Sequence, residues 1–323
     1  MRILALDIGG ANTKRLLYEG VVKASEIHHF PFWERRDEFE NFLSGLKSKA
    51  DRVAVTMTAE LCDVFPDKEG GVRFVVSCCE KIFESPYYLS VEGRLLKAGD
   101  IEDFKDLAAA NWLASTYFLE KEFGEGILLD IGSTTTDIVP FGKGQRIYWK
   151  TDLERLRRDQ LLYTGLLRTP LSAIVKKVPL GGELVNISSE YFAITADIYN
   201  ILDRDMEYTC ETPDGAGKRR EDSMRRVARL LCADLGEVGE GDITKICEYI
   251  HKKQVEDIGE GLQKVAERAG LSDIYICGIG KDLGIEACRQ RGLDFIDLSR
   301  VTEAYDNLPC LGLALMCSGG DLT

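Results

Sequence analysis

Two stretches of the chain combine a carboxylate with glycines and small hydroxyl or amide residues, a set that could bind a phosphate group and a metal ion. Residues 6–14 read LDIGGANTK and residues 129–137 read LDIGSTTTD. At this constant offset of 123 residues, the first four positions and the eighth are identical in the two stretches. A repeat at so long a spacing indicates a duplicated domain and not a solenoid.

In each stretch the chain leaves an apolar strand at an aspartate and then turns through glycine. Glycine lets backbone amides approach an anion, because no Cβ stands in the way. Asp7 and Asp130 suit a Mg²⁺ ion that bridges to phosphate oxygens, and Lys14 adds a cation. A hairpin turn alone explains either stretch, but the pair favours a diphosphate site between two half-domains. The predicted donors are Gly9, Gly10, Asn12, Thr13, Gly132, Ser133, Thr134, Thr135 and Thr136.

The apolar patterns along the chain predict the elements that position these stretches. Strands are predicted at 4–8, 14–18, 21–30, 53–56 and 274–277, and residues 124–150 repeat the strand-turn-strand-turn-strand plan of the N-terminus. Gly70 and Gly71 are interpreted as a turn. Helices are predicted at 35–49, 101–122, 191–205, 223–235, 243–268, 285–291 and 309–316.

The composition restricts the partners. The 323 residues carry 41 Lys and Arg against 54 Asp and Glu, a net charge of −13. This charge repels phosphate backbones and anionic membranes, so we expect small-molecule substrates and neither nucleic acid nor a membrane as partner. No export signal or spanning apolar run is seen, which predicts a cytoplasmic protein. The ten cysteines include no C-x-x-C pair and are expected to be reduced core residues. The oligomeric state stays open.

Two widespread nucleotide motifs are not matched, because a Walker A sequence is absent and residues 278–284 (GIGKDLG) are one residue too long for the dinucleotide fingerprint. Residues 7–14 and 130–137 instead resemble the two phosphate motifs of the actin, sugar-kinase and heat-shock ATPase superfamily, and residues 276–280 resemble its adenosine motif. By this resemblance, Gly278 and Gly280 mark an ATP site or its remnant, and the sequence does not decide between them.

The superfamily resemblance implies an α/β fold of two ribonuclease-H-like halves around a central cleft, with the second half enlarged by helices. The implied domains are residues 1–104 and 105–304, and a helix at 305–317 is expected to pack back on the first domain.

A narrower resemblance rests on residues 109–112 (AANW), 130–137 (DIGSTTTD) and 163–170 (YTGLLRTP). In this order they are similar to the archaeal hydantoinase-like family that makes a methanofuran precursor. The implied activity is condensation of γ-glutamyltyramine with (5-aminomethylfuran-3-yl)methyl diphosphate, which forms an aryl ether and releases diphosphate. The alternatives are an ATP-dependent kinase or ATPase of the superfamily and a binding protein without turnover. No motif for the catalytic Asp of a sugar kinase is found.

Such a transfer needs the charge on the leaving diphosphate neutralised, and it needs help for a phenol that titrates near about pH 10. We expect Asp7 and Asp130 to hold Mg²⁺, Lys14 and the hairpin hydroxyls to bind diphosphate, and Asp137 to act as an acid or base behind them. Arg168 is a candidate for binding the diphosphate or the glutamyl carboxylate, with a surface arginine as the alternative.

Two further groups of charged residues could have a function, and for each the alternative is a solvated helix face. Glu190 and Asp197, two turns apart on a predicted helix, could bind a substrate ammonium group. The basic segment is interpreted as a charged helix exterior, with a mobile lid over the cleft as the alternative. Its members are Lys218, Arg219, Arg220, Arg225, Arg226 and Arg229.

Overall fold

In the computed structural model of the protein, the described residues are 1–142, 149–204 and 207–319. The described strands are β1 (Ile3–Ile8), β2 (Asn12–Tyr18), β3 (Val22–His29), β4 (Arg52–Met57), β5 (Tyr87–Leu89), β6 (Leu95–Leu96), β7 (Gly126–Ile131), β8 (Thr136–Phe141), β9 (Leu161–Leu162), β10 (Lys177–Leu180), β11 (Glu183–Asn186), β12 (Ile274–Cys277) and β13 (Phe295–Asp297). The described α-helices are α1 (Phe32–Arg35), α2 (Phe39–Leu46), α3 (Lys68–Ile82), α4 (Asn111–Phe123), α5 (Asp152–Arg157), α6 (Leu171–Ile174), α7 (Thr195–Ile201), α8 (Arg220–Arg229), α9 (Glu240–Ala269), α10 (Lys281–Arg291) and α11 (Leu308–Ser318).

The first sheet has the strand order β3-β2-β1-β4-β5-β6. β1 pairs antiparallel with β2 and parallel with β4, while β2 pairs antiparallel with β3 and β4 pairs parallel with β5. Every residue of β1 is buried, as a central strand covered on both faces requires. Three antiparallel strands followed by two parallel ones form a ribonuclease-H-like sheet.

The second sheet repeats this plan with the order β13-β12-β7-β8-β9. Here β7 is the first strand of its half. Read from β9 to β13, the order is again third, second, first, fourth, fifth. β8 pairs antiparallel with β9, and β12 pairs parallel with β13. The hairpin β10-β11 and four helices, α6 to α9, lie between the third and fourth strands of this half. The predicted fold of two ribonuclease-H-like halves, the second enlarged by helices, is confirmed.

By its internal contacts the chain divides into two compact units. The first comprises Met1–Leu128, Val139–Arg157 and Leu298–Thr323, and the second comprises Leu129–Ile138 and Arg158–Asp297. Within the first unit, α11 packs against β1 and α4. The domain limits at residues 104 and 304 stay a prediction.

The two faces of β1 pack against different parts of the first unit. Leu4, Leu6 and Ile8 on one face join the core cluster that also holds residues of α2 and α3. Because side chains alternate along a strand, Asp7 lies on the other face, and contacts with α11 reach the neighbouring strand. There the Cys310 thiol donates to the Lys14 carbonyl at 3.5 Å and the Asn307 amide donates to the Arg15 carbonyl at 3.0 Å.

The contact between α11 and α4 requires glycine at position 312. A Cβ there would overlap the carbonyl oxygen of Ala114. We expect Gly312→Ala to lower the free energy of unfolding by about 1–3 kcal/mol, the usual cost of overpacking a core. Urea denaturation measures this change. Gly45→Ala in α2 is the matched control, because a Cβ at Gly45 meets no atom within 4 Å. Equal midpoints for the two variants would contradict the prediction.

The glycine pair at 70 and 71 is not a turn, so that prediction was wrong. Both residues lie in α3, whose first turn is capped by the Asp67 carboxylate, which accepts from the Gly70 amide at 2.8 Å. A Cβ on Gly71 would lie 2.6 Å from the Glu60 carbonyl oxygen. Glycine is therefore needed for close packing of the helix on the segment after β4.

Other element predictions need correction at their limits. The helix predicted at 101–122 starts only at Asn111, after two short 3-10 turns, and the one predicted at 35–49 is an α-helix only from Phe39 to Leu46. The third strand predicted within 124–150 falls largely on residues 143–148, which lie outside the described residues. The last residue of the helix predicted at 191–205, Asp205, also lies outside them. The helix at 243–268 is confirmed as α9, which ends at Gly270 with a left-handed φ of 67°.

Eight of the ten cysteines are buried, Cys62 is half-buried and Cys232 is exposed, and all ten are free thiols. Among the described helices, none combines the length and the apolar composition that a membrane span requires.

Candidate functional site

The first glycine turn joins β1 to β2. Asp7 and Lys14 are directly opposite each other in the antiparallel pair, so their side chains share one face of the sheet. The Gly9 amide donates to the Asn12 carbonyl at 3.0 Å and closes the turn. A Cβ on Gly9 would lie 2.7 Å from that same oxygen, so the turn requires glycine.

The chain around the first turn fixes its position. The Thr58 amide donates to the Ile8 carbonyl at 2.9 Å, and the Phe32 amide donates to the Gly10 carbonyl at 2.9 Å. A Cβ on Gly10 would lie 2.8 Å from Cys62 Sγ. The segment after β4 therefore packs directly on the turn.

Thr13, which the sequence predicts at one site with Asp7 and Lys14, does not share their face of the sheet. Thr13 is fully buried and lies opposite Ile8 in the pairing, on the other face of the sheet from Lys14. The Asn12 Oδ1 atom lies 3.2 Å from His29 Nδ1. Strand alternation separates the Thr13 hydroxyl from the carboxylate of Asp7.

The second glycine turn, between β7 and β8, repeats the first. The Gly132 amide donates to the Thr135 carbonyl at 2.9 Å, the same bond at an offset of 123 residues. The Leu167 and Arg168 amides donate to the Ser133 carbonyl at 3.0 and 2.9 Å, in the place of the bond to Gly10 in the first half. The sequence repeat is thus a repeat of hydrogen bonds.

The side chains of the second turn divide into two groups. The fully buried Thr136 hydroxyl donates to the Thr164 carbonyl at 2.8 Å, which commits it to the fold. The hydroxyls of Ser133 and Thr134 lie 3.4 Å apart on the turn itself. Asp137 occupies the position of Lys14 in the repeat, so one half carries a cation and the other a carboxylate.

The glycines after β12 contact the carboxylate end of β7. The Gly280 amide donates to the Ile131 carbonyl at 2.9 Å. Gly278 has a φ of 85°, and a Cβ there would overlap the Asp130 carboxylate and the Ile131 carbonyl. The structure therefore brings Asp130 together with Gly278 and Gly280. Close packing alone explains why these two positions are glycine.

The three residues predicted to bind substrate, Arg168, Glu190 and Asp197, have different surroundings in the structure. Arg168 reaches the second turn through its backbone amide, and its guanidinium lies 3.7 Å from the Glu211 carboxylate. Glu190 is exposed and precedes α7, so the prediction that it shares a helix face with Asp197 was wrong.

Asp197 is fully buried and its carboxylate is occupied. Oδ1 accepts from Arg226 Nε at 2.8 Å, the Ser223 hydroxyl at 2.8 Å and the Tyr208 hydroxyl at 3.0 Å. Oδ2 accepts from the Ile194 amide at 3.0 Å and caps α7. We leave Asp197 out of the proposed binding site, because this network holds α7 and α8 together.

The basic segment forms ion pairs along α8. Arg229 lies 2.7 Å from Asp214, and Arg220 and Arg225 pair with Glu240 and Glu221. These side chains are about half exposed, which fits the charged helix exterior. Arg226 is the exception, because it is fully buried.

Glu60 was missed by the sequence analysis. Its side chain is 1% exposed, and neither carboxylate oxygen has a hydrogen-bond partner in another residue of the described chain. Burial raises its pKa from 4.5 to about 7. One feature of the sequence could have indicated Glu60. It lies three residues after the end of the buried parallel strand β4, and site residues often lie just beyond the carboxyl ends of such strands.

Gln254 was also missed. Its amide reaches from α9 and donates to the Thr164 hydroxyl and to the Gly165 carbonyl, both at 2.9 Å. A Cβ on Gly165 would lie 2.6 Å from the Thr134 amide nitrogen. Gln254 thereby supports the segment on which the second turn rests.

Each glycine turn follows a carboxylate of the kind that binds Mg²⁺ together with phosphate. Within the described ranges, no group of three or more His, Cys, Asp or Glu is arranged to hold a metal by itself. Mg²⁺ is usually bound by one or two carboxylates, with substrate phosphates and water completing its shell. Asp7 and Asp130, each at the end of a strand that leads into a glycine turn, are carboxylates of that kind.

Two sheets that share the strand order third, second, first, fourth, fifth, each with a glycine turn between its first two strands, form the two ribonuclease-H-like halves of an actin-like fold. A nucleotide-free structure of acetone carboxylase, an enzyme of ATP-dependent acetone carboxylation, is similar in fold. The TM-score is 0.60 and the sequence identity is 9%. The match covers 97% of this chain and 70% of that chain.

Within this class, residues 51–314 match the hydantoinase/oxoprolinase family. A protein of Methanocaldococcus jannaschii, named (4-{4-[2-(γ-L-glutamylamino)ethyl]phenoxymethyl}furan-2-yl)methanamine synthase, is 40% identical over 310 residues, which are 94% of this chain and 92% of the relative. A protein of the same name from Methanococcus vannielii is 43% identical over 159 residues, which are 49% of this chain and 72% of that relative. The chain belongs to this family, and the predictions of the family and of an enzyme are confirmed.

Proposed function

We propose that the chain joins γ-glutamyltyramine to (5-aminomethylfuran-3-yl)methyl diphosphate and releases diphosphate. The name of both relatives describes a product in which a phenol oxygen is bonded to the CH₂ group of an aminomethylfuran. Such an ether forms when the phenol oxygen attacks that carbon and a leaving group departs. Diphosphate is a leaving group for which the glycine turns are suited.

The observation that carries this proposal is the pair of equivalent turns. Each turn follows a strand-end carboxylate, and the same hydrogen bond, from the first glycine amide to the carbonyl three residues later, shapes both turns. Backbone donors in fixed positions stabilise negative charge as it develops on a leaving group, without reorganising at the moment of reaction.

Asp7 and Asp130 would hold Mg²⁺ in this proposal. The ion would neutralise charge on the diphosphate oxygens when bound. Lys14, which shares a sheet face with Asp7, would contact the diphosphate. Asp137, at the matching place in the second half, would act as an acid or base behind the metal carboxylate. Arg168 would bind the diphosphate or the glutamyl carboxylate.

Both substrates are small molecules, and we expect the reaction to proceed in the cytoplasm. The net charge of −13 disfavours nucleic acid and anionic membranes as partners. ATP use is a second candidate activity, because Gly278 and Gly280 lie in the segment that resembles an adenosine motif and this segment contacts the Asp130 turn.

The test is product analysis by mass spectrometry after incubation with Mg²⁺ and both substrates, with and without ATP. We expect the coupled ether and diphosphate in equal amounts without ATP. Coupling or ATP hydrolysis that occurs only with ATP would favour the kinase or ATPase alternative. No turnover in either reaction would favour a binding protein.

Asp130→Asn tests the metal assignment. We expect a loss in metal-dependent turnover on the order of 100-fold, because the variant keeps the shape of the side chain but loses a charge that would bind the ion. Turnover is measured across a Mg²⁺ titration. Asp294→Asn is the control, because Asp294 is an exposed carboxylate just before β13. Unchanged turnover of Asp130→Asn over the titration would remove Asp130 from the metal site.

A further inference from the structure

Glu60 lies in the segment that supports the first glycine turn. It is the middle residue of a short 3-10 helix, Ala59–Leu61, that directly follows β4. The residues on either side of this helix contact the turn: Thr58 bonds to Ile8, and Cys62 lies against Gly10. Gly71 of α3 packs against the Glu60 backbone from behind. The position of Glu60 is therefore fixed relative to the proposed diphosphate site.

The Glu60 carboxylate is buried without a partner that would explain its burial. Neither oxygen is hydrogen-bonded to another residue of the described chain. The charged groups that act on it are Asp152, Lys68 and Asp7, two carboxylates and one ammonium. Asp197, by contrast, is buried with four donors around it. Buried carboxylates are normally paired, so an unpaired one close to a candidate site indicates a function.

We propose that Glu60 is the general base of the coupling reaction. This inference rests on the proposed function. The Glu60 carboxylate accepts the phenol proton of γ-glutamyltyramine, the phenol oxygen forms a bond to the furan CH₂ carbon, and the bond from that carbon to the diphosphate oxygen breaks. Diphosphate leaves with the electron pair of the broken bond. The proton is on Glu60 afterwards and passes to water before the next cycle.

The environment of Glu60 suits this task. An ordinary carboxylate is a weak base for a phenol that titrates near about pH 10. Burial is the main cause that raises the pKa of Glu60, to about 7, against the opposing effects of its own backbone amide and of Lys68. A general base works best when its pKa is close to the operating pH, where it is both available and basic. Asp137, the acid or base suggested from sequence, belongs to the other unit.

The first test compares Glu60→Gln with Glu102→Gln, a control at an exposed glutamate. We expect Glu60→Gln to lower kcat/KM for γ-glutamyltyramine by roughly 100-fold, the usual contribution of a general base. The KM for the furan diphosphate should stay unchanged. The wild-type profile of kcat/KM against pH should show an acid limb that is absent in Glu60→Gln. A variant with wild-type kcat/KM would overturn the proposal.

The second test separates a base from a structural residue. A fluorinated γ-glutamyltyramine has a more acidic phenol and needs less help from a base. We expect it to recover most of the activity that Glu60→Gln loses, while the acid limb of the wild-type enzyme stays at the same pH. An equal loss for both phenols, or an acid limb that moves with the phenol, would overturn the proposal.

The two proposals fail in different ways. If the wild-type protein forms no ether, the proposed function is wrong. If the wild-type protein forms ether and Glu60→Gln does so equally well, only the role of Glu60 is wrong.

Discussion

Replacement of Arg226 by methionine is expected to lower the free energy of unfolding by about 3–5 kcal/mol, the usual effect of removing one partner of a buried ion pair. The side chains of Arg226 and Asp197 are both fully buried. Without the guanidinium, the Asp197 charge stays in the interior with only neutral donors. Arg226 also donates to the Gly217 carbonyl at 3.0 Å, so the loop before α8 loses an anchor as well. Urea denaturation at neutral pH measures the change.

Arg225→Met is the matched control. Arg225 is the neighbouring residue, is about half exposed and pairs with Glu221 and Asp222 of its own helix, so its loss should cost less than about 1 kcal/mol. The double variant Arg226→Met with Asp197→Asn should be more stable than the sum of the single effects predicts, because both charges are removed together. Additive effects would show that the two residues are not coupled.

Replacement of Glu60 by glutamine is expected to stabilise the protein at pH 8 by about 3 kcal/mol and to have little effect at pH 4. In the folded protein, burial raises the pKa of Glu60 from 4.5 to about 7. Folding therefore disfavours the charged carboxylate. Stability from this group is complete below pH 4.5, falls as the pH rises, and is lost once the pH has passed 7. Glutamine does not ionise and so avoids the loss.

The measurement is the urea midpoint of both proteins from pH 4 to pH 8. The difference between them should grow across this range, and Glu102→Gln should show no such trend, because Glu102 is exposed. A constant difference would mean that Glu60 has an ordinary pKa in the folded protein. Gain in stability with loss of activity in one variant is typical of a residue kept for its chemistry.

The glycine turns could be predicted from the sequence because they are local. A buried strand, an aspartate and a glycine turn lie within nine residues. The repeat at an offset of 123 residues makes a chance occurrence of this motif less plausible. The prediction of two ribonuclease-H-like halves followed from the superfamily resemblance. The turn hydrogen bonds of Gly9 and Gly132 then confirmed the repeat.

The remaining features depend on contacts between distant residues. Gly71 reads as a turn residue until α3 is seen packed on Glu60. Asp197 reads as a candidate for binding an ammonium group until Arg226, 29 residues away, is found beside it. Glu60 has no motif of its own, and its importance comes from burial of a carboxylate that is hydrogen-bonded to no other described residue. Periodicity does not report on burial of this kind.

The placement of α11 has a consequence for synthesis of the protein on the ribosome. Asn307 donates to the Arg15 carbonyl at 3.0 Å across 292 residues of sequence, and α11 packs on the first strand. The first unit therefore cannot complete its core when its own early strands emerge, and it must wait while the whole second unit is made. Contacts of such long range slow folding and leave apolar surface exposed for longer. The nascent chain needs protection from aggregation during this interval, and the second unit, which comprises Leu129–Ile138 and Arg158–Asp297, is free to fold first.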